Sequence, residues 1–302
     1  MSSSIITSLI SHPGSTEPVA EKASGPSAGA GQIVVDLIAS AVNPFDLAVA
    51  SGAARGPVGL TGPVGLGWDV TGVVREIGAG VTRFAVGDTV AAIHPDLAAP
   101  SRAHAEQVLL EESWAAHLPD GLDPVAGASI PLNALTAAQA LAMLGPADGR
   151  DLLVTGAAGA VGGYAVALAS AAGWRVVAFA RAADEEFVRS AGAEELVTEL
   201  VPGSVDAVLD AAALREAAMT AVRDDGAFVG VLPIAPTPPV RGITSEDVFV
   251  QPDPVALADL LARSASGELA VRISGSRPLA EGATAYRQVA SGGQRGRLLL
   301  VP

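Results

Sequence analysis

The stretch LLVTGAAGAVGGYAVALA, residues 152–169, sets an apolar run against a turn of small residues and follows it with a helix-forming segment. Its glycines Gly156, Gly159 and Gly162 have the spacing G-x-x-G-x-x-G, with Gly163 directly after them. A strand ending at Thr155, a glycine turn and an immediate helix would present bare backbone N–H groups at a helix N-terminus, where the peptide dipoles also favour negative charge. The chemistry that suits is capture of a pyrophosphate by the backbone of Gly156, Ala158, Gly159, Ala160, Val161 and Gly162. The competing reading is a tight turn that needs glycine only for packing; the strand, turn and helix context favours the anion site.

The end of the next strand bears on which anion. A dinucleotide with a free ribose 2′-hydroxyl usually meets an Asp or Glu there, roughly 20 residues past the glycines. Here RVVAFAR ends in Ala180 and Arg181, and the acids Asp184, Glu185 and Glu186 come only afterwards. A guanidinium suits a 2′-phosphate, so NADPH is expected over NADH. The alternative is that Arg181 is a solvated loop charge, since exposed arginines are common and no second cation stands beside it.

Other chemistries are narrowed by residue type. The chain has no cysteine, which excludes disulfides, thiol nucleophiles and thiolate metal sites and makes cytoplasm the expected compartment. His12, His94, His104 and His117 are scattered without helical or hairpin pairing, so structural or solvated roles are expected and no metal site. A formal net charge of −14 would repel a nucleic-acid backbone. Neither a signal peptide nor a membrane span is expected in the first 25 residues, which lack an early positive charge and a long apolar run.

The elements that must position these residues can be read from patterning. A length of 302 residues suggests two folding units. Half the residues are hydrophobic but only 4% are aromatic, so the interior must be Ala, Val, Leu and Ile at close approach. Residues 32–112 hold short alternating runs, IVVDLIAS, VTGVVREIG, DTVAAI and EQVLL, separated by Gly, Pro and Asp, which reads as an antiparallel β domain with a surface loop at SGAARGPVGLTGPVGLG. After a boundary near residue 122 the grammar alternates. A helix over 132–144 precedes strands at 151–155, 175–180, 195–198, 205–210 and 227–232, with helices at 160–172, 184–191, 213–222 and 254–264 between and after them. Alternation of this kind predicts right-handed crossovers and a parallel sheet. The C-terminal segment returns to the earlier style and is expected to rejoin the first domain.

Taken together, these segments resemble the medium-chain dehydrogenase/reductase superfamily, specifically its zinc-free quinone oxidoreductase branch. VNPFDLAVASG is similar to the family's N-P-x-D turn, GWDVTGVVREIGAGVTRFAVGDTVAAI to its G-x-D-x-x-G-x-V stretch with the later G-D-x-V, and VTGAAGAVGGYAVALA to its nucleotide loop; LNALTAAQAL and GGQRGRLLLVP also match. The resemblance runs from about Ile33 to Pro302. It implies an α/β chain with a GroES-like β-barrel for residues 1–122 and 265–302, a Rossmann-type doubly wound parallel sheet for 123–264, and commonly a homodimer. Zinc-dependent relatives carry a metal-ligating Cys in the region of Asn43 and Gly-His-Glu where this chain has Gly67, Trp68 and Asp69, so the resemblance points to the metal-free side of the family. It also implies that Asn43 lies near the nicotinamide as a polar donor, the catalytic candidate, although an Asn before Pro equally serves as a turn starter. Thr136 would contact the cofactor near its nicotinamide end, and the VLPIAP loop at Val231 and Leu232 would pass the ring through its backbone.

Without a metal, the chemistry implied is hydride transfer from NADPH to an acceptor already activated by conjugation, a small and mostly apolar quinone or α,β-unsaturated carbonyl. The tyrosine that some enoyl reductases place soon after the N-P-x-D turn has no counterpart in SGAARG, where Ala53 and Ala54 stand. Tyr164 and Tyr286 are expected to pack, and Asp210 to be a strand-end structural residue. Two alternatives stay open from sequence: a pathway-specific enoyl or enone reductase, and a non-catalytic NADPH-binding sensor.

Overall fold

The structure, a computed structural model, describes residues 4–302 and contains two compact units. One runs to Leu132 and resumes at Gln251–Ser266 and Val271–Pro302; the other comprises Asn133–Val250 and Gly267–Ala270.

The first unit contains β1 (Ile5–Ser11), β2 (Val19–Ser24), β3 (Gln32–Ala41), α1 (Pro44–Ala50), β4 (Val64–Gly65), β5 (Asp69–Ile77), β6 (Thr89–Ile93), β7 (Gln107–Glu111), β8 (Ala115–His117) and α2 (Pro124–Gly127). Helix α3 (Pro131–Leu144) begins here and leads into the second unit. There follow β9 (Asp151–Thr155), α4 (Ala160–Ala171), β10 (Arg175–Phe179), α5 (Glu185–Ser190), β11 (Glu195–Val197), β12 (Val205–Asp210), α6 (Glu216–Met219), β13 (Val222–Gly230) and β14 (Thr244–Asp247). The chain then returns to the first unit with α7 (Pro254–Ala265), β15 (Ile273–Pro278), α8 (Gly282–Ala290) and β16 (Arg297–Val301).

Strand β3 organises the first unit. Successive side chains of a strand point to opposite faces, and Ile33, Val35 and Leu37 enter one core with Val70, Val74, Phe84 and Val90. β3 pairs antiparallel with β5, β7 and β16, and the sheet continues through β6 to β8. The antiparallel β domain read from residues 32–112 is present. It is extended by β1 and β2, which pair with each other, β1 also pairing with β4.

The second unit is a six-stranded, all-parallel sheet in the order β11-β10-β9-β12-β13-β14. Counted from β9, that is 3-2-1-4-5-6, the doubly wound order, and the direction of winding reverses between β9 and β12. Every residue of β9 is buried, as a central parallel strand covered on both faces requires.

The structure differs from the sequence reading in three places. A helix over 213–222 shrinks to α6, because Ala213 and Arg215 adopt positive φ of 55° and 57° and strand β13 already begins at Val222. The helix expected at 254–264 forms, but α7 groups with the first unit, where it packs against β8. The first unit also extends past the expected boundary at residue 122, to Leu132. Among the described residues, no helix is long and apolar enough to cross a membrane.

Candidate functional site

The glycine turn is built as its spacing demands. Gly156, directly after β9, has φ of +57°, and a Cβ there would crowd Ala212. At Gly162 a Cβ would lie 2.1 Å from the Gly156 carbonyl oxygen, so only glycine lets the first turn of α4 close onto the end of β9. Gly159 differs from both. It is the N-cap of α4, it is exposed, and a Cβ added there meets only the Gly156 carbonyl oxygen, at 3.0 Å. An exposed residue thus opens a helix whose N-terminus carries no capping side chain, and the leading N–H groups, those of Ala160, Val161 and Gly162, have no carbonyl four residues back within the helix. That cradle fits a pyrophosphate. Ala158 is buried at the inner side of the turn.

Arg181 follows β10, whose end touches the turn: the Ala157 N–H donates to the Phe179 carbonyl at 3.3 Å. Its side chain is 66% exposed, with Nε 3.5 Å from Asp184 Oδ2. The guanidinium is therefore held loosely at the rim by a carboxylate, with its face open to solvent.

The adjoining strand ends are pinned by carboxylates. Thr155 Oγ1 donates to Asp210 Oδ1 at 2.5 Å and accepts from the Ala212 N–H at 3.0 Å. Asp210 also accepts from the N–H groups of Leu214 and Arg215, at 3.1 and 2.6 Å, which fixes the tight turn that shortens α6. Asp210 is thus a structural strand-end residue. Val231 and Leu232 follow β13, and the loop behind them is held by Ser245 Oγ donating to the Thr237 carbonyl at 2.6 Å. Asp247 accepts from this loop too, and burial raises its pKa. The structure therefore gathers residues 156–162, Arg181 and Val231–Leu232 at the carboxyl ends of adjacent parallel strands, the place where such sheets bind ligands. Thr136 is a buried residue of α3.

Asn43 belongs to the first unit and is 1% exposed. Its backbone N–H donates to Asp46 Oδ2 at 2.9 Å, while its amide Nδ2 donates to Asp69 Oδ2 at 2.7 Å and to the Ala41 carbonyl at 3.3 Å. Both amide hydrogens are committed inside this unit. In this arrangement Asn43 holds the turn and the Asp69 carboxyl.

Sequence reasoning missed the buried polar cluster around it. Asp69 is fully buried and accepts at Oδ1 from the Leu132 N–H at 2.7 Å; burial pushes its pKa up to about 7. Asp46 Oδ1 accepts from the Gly67 N–H at 3.0 Å. His104 Nε2 donates to the Ala41 carbonyl at 3.1 Å, so in the neutral ring Nδ1 accepts from the Tyr286 hydroxyl at 3.0 Å. Burial depresses the His104 pKa and raises that of Tyr286, keeping both neutral. Arg102 is 1% exposed, donates to the His94 carbonyl at 2.6 Å and lies 4.8 Å over the Trp68 ring, which meets Phe45 edge-on at 5.7 Å. The one available signal was an acid directly after a Trp at the start of an apolar strand. Among the described residues, no three His, Cys, Asp or Glu side chains cluster as metal ligands.

Two family models match: the alcohol dehydrogenase GroES-like domain over residues 29–120 and the zinc-binding dehydrogenase model over residues 180–300. A chloroplastic quinone-oxidoreductase homolog of Spinacia oleracea is 32% identical over 177 residues, 57% of this chain and 53% of that protein. A chloroplastic NADPH-dependent alkenal/one oxidoreductase of Arabidopsis thaliana is 31% identical over 223 residues, 69% of this chain and 56% of that protein. The chain spans about half the length of the curated relatives it matches. In fold it is similar to the quinone oxidoreductase of Coxiella burnetii, with a TM-score of 0.87 at 23% identity over 99% of this chain and all of that one.

Proposed function

Because the chain belongs to the medium-chain dehydrogenase/reductase superfamily, we propose that it is a zinc-independent oxidoreductase using NADPH to reduce a quinone or an α,β-unsaturated carbonyl. The observation that carries this reading is the open helix N-terminus at Gly159 with Arg181, not an acid, at the adjoining strand end.

In this reading the backbone of Gly156, Ala158, Gly159, Ala160, Val161 and Gly162 holds the pyrophosphate and Arg181 the 2′-phosphate, while Thr136, Val231 and Leu232 face the nicotinamide end. NADPH supplies the hydride. Zinc independence rests on residue type: the chain has no thiolate, and Trp68, where zinc-dependent relatives carry His, is packed between a guanidinium and a phenyl ring. An acceptor that delocalises the new negative charge over a conjugated system needs no Lewis acid, whereas a simple carbonyl would. Asn43 and Asp69 act as positioning groups. We further propose a homodimer located in the cytoplasm, acting on a small apolar acceptor.

The test is NADPH oxidation by the purified chain with 1,4-benzoquinone, an alkyl enone and, as control, a saturated ketone. Turnover with the first two and none with the ketone is expected. Tight NADPH binding without turnover of any acceptor would replace the reductase by a sensor, and a failure to bind NADPH would overturn the cofactor assignment itself.

A further inference from the structure

The first unit contains a cavity of about 370 Å³, within the size range of small-molecule sites, lined entirely by residues of that unit. It owes nothing to the glycine turn, which belongs to the second unit. Three features of its wall specify an occupant.

The first is the ring of His94, which lines the cavity and is 4% exposed. Burial and the nearby Arg102 charge depress its pKa to about 3, so the ring is neutral and brings no positive charge to the wall.

The second is charge. Among the described residues, Asp96 and Glu111 are the only ionisable groups besides His94 on the wall, and no Lys or Arg lines it. Asp96 Oδ1 accepts from the Ala98 N–H at 2.9 Å and Glu111 Oε1 from Gln32 Nε2 at 2.8 Å, so each carboxylate has spent one oxygen on the protein and keeps the other for a donor. An anion would be repelled here. The third is the half-buried Trp114, its ring 5.2 Å from that of His94, with Ile6 and Leu110 supplying apolar wall. An indole face attracts a cation as well as an aromatic ring.

We propose that this cavity is a second ligand site, for a small organic amine: an ammonium group set between Asp96 and Glu111, and an apolar or aromatic body on Trp114.

Calorimetric titration of the full chain at neutral pH tests it, with benzylamine as the probe and benzyl alcohol and benzoate as shape-matched neutral and anionic controls. Benzylamine is expected to saturate one site per chain, benzyl alcohol to bind about tenfold more weakly and benzoate not at all. Asp96→Asn and Glu111→Gln preserve shape at accessible positions. Each is expected to weaken benzylamine about three- to tenfold, while NADPH binding, read separately, stays unchanged. Benzylamine that does not bind, binds no better than benzyl alcohol, or binds the doubly substituted chain as well as the parent overturns the proposal. Because NADPH binding is measured apart, that failure is distinguishable from failure of the reductase reading.

Discussion

Replacing Asp69 by Asn should change how stability depends on pH. Asp69 is fully buried, with Oδ1 on the Leu132 N–H and Oδ2 on the Asn43 amide, and its pKa is raised from 3.8 to about 7, chiefly by burial. A carboxyl whose folded pKa lies above its unfolded value holds a proton in the folded state that the unfolded chain has already released. Stability from this group is therefore greatest below the unfolded pKa, falls as pH rises toward the folded pKa, and is flat beyond it. Each pH unit in that window costs about 1.4 kcal/mol, so between pH 5 and pH 8 the parent loses about 3 kcal/mol through Asp69. Asn cannot ionise and loses none of this. It should cost about 1 kcal/mol at pH 5, because its amide must be turned to keep an acceptor on Leu132 while facing the Asn43 donor. The assay is urea unfolding of both chains at a series of pH values, plotted as the difference between them so that all other titrating groups cancel. The variant should be the less stable chain at pH 5 and the more stable at pH 8, a swing of about 3 kcal/mol. A difference that stays constant would mean that the two donors, with Arg297, keep Asp69 ionised throughout, and the burial argument would fail.

The nucleotide turn offers sharper tests. Arg181→Ala should weaken NADPH by about tenfold or more in a fluorescence titration, the loss of charge-assisted hydrogen bonds, with NADH unchanged; equal weakening of both would remove Arg181 from the 2′-phosphate. Its exposure means that the melting temperature should barely move. Gly159→Val meets a single backbone oxygen at 3.0 Å on an exposed face and should leave a folded chain that no longer binds either dinucleotide, whereas Gly162→Val drives a Cβ to 2.1 Å from a carbonyl oxygen and should destabilise the fold itself by about 1–3 kcal/mol. Identical behaviour of the two variants, by binding and by thermal melting, would contradict the division of labour among these glycines.

What the sequence made legible was whatever is encoded over a few consecutive residues. Alternation of apolar runs with helical stretches predicts the parallel sheet, and the glycine spacing predicts the turn at residues 156–162, because each is a local demand on backbone geometry. The truncated helix after β12 was not legible: nothing in LREAAM announces that Asp210 will seize the N–H groups of Leu214 and Arg215 and force positive φ at Ala213. The grouping of α7 was hidden for a similar reason, since its amphipathic pattern shows that a face is buried but not against which strand. The Asn43–Asp69 and His104–Tyr286 pairs join residues 26 and 182 positions apart. Their types were visible, but their meeting depends on how distant strands pair. Arg102 is the extreme case: a lone Arg in SRAH reads as a surface charge, yet it is the largest fully buried side chain of the chain's described residues.

The last strand has a consequence for synthesis on the ribosome. β16 pairs with the end of β3, Leu299 opposite Ala41 and Leu300 opposite Ser40, and the Val42 N–H donates to the Leu298 carbonyl at 3.0 Å. The strand that delivers Asn43 to its turn therefore waits, with that edge unpaired, until some 250 further residues have been translated, roughly 10–50 s at ordinary elongation rates. The parallel sheet, encoded almost without interruption between Asn133 and Val250, has all its strands available well before then. The end of β3 thus stays without its β16 partner while the residues between them are made, and that span is where a ribosome-associated chaperone would have the longest opportunity to act.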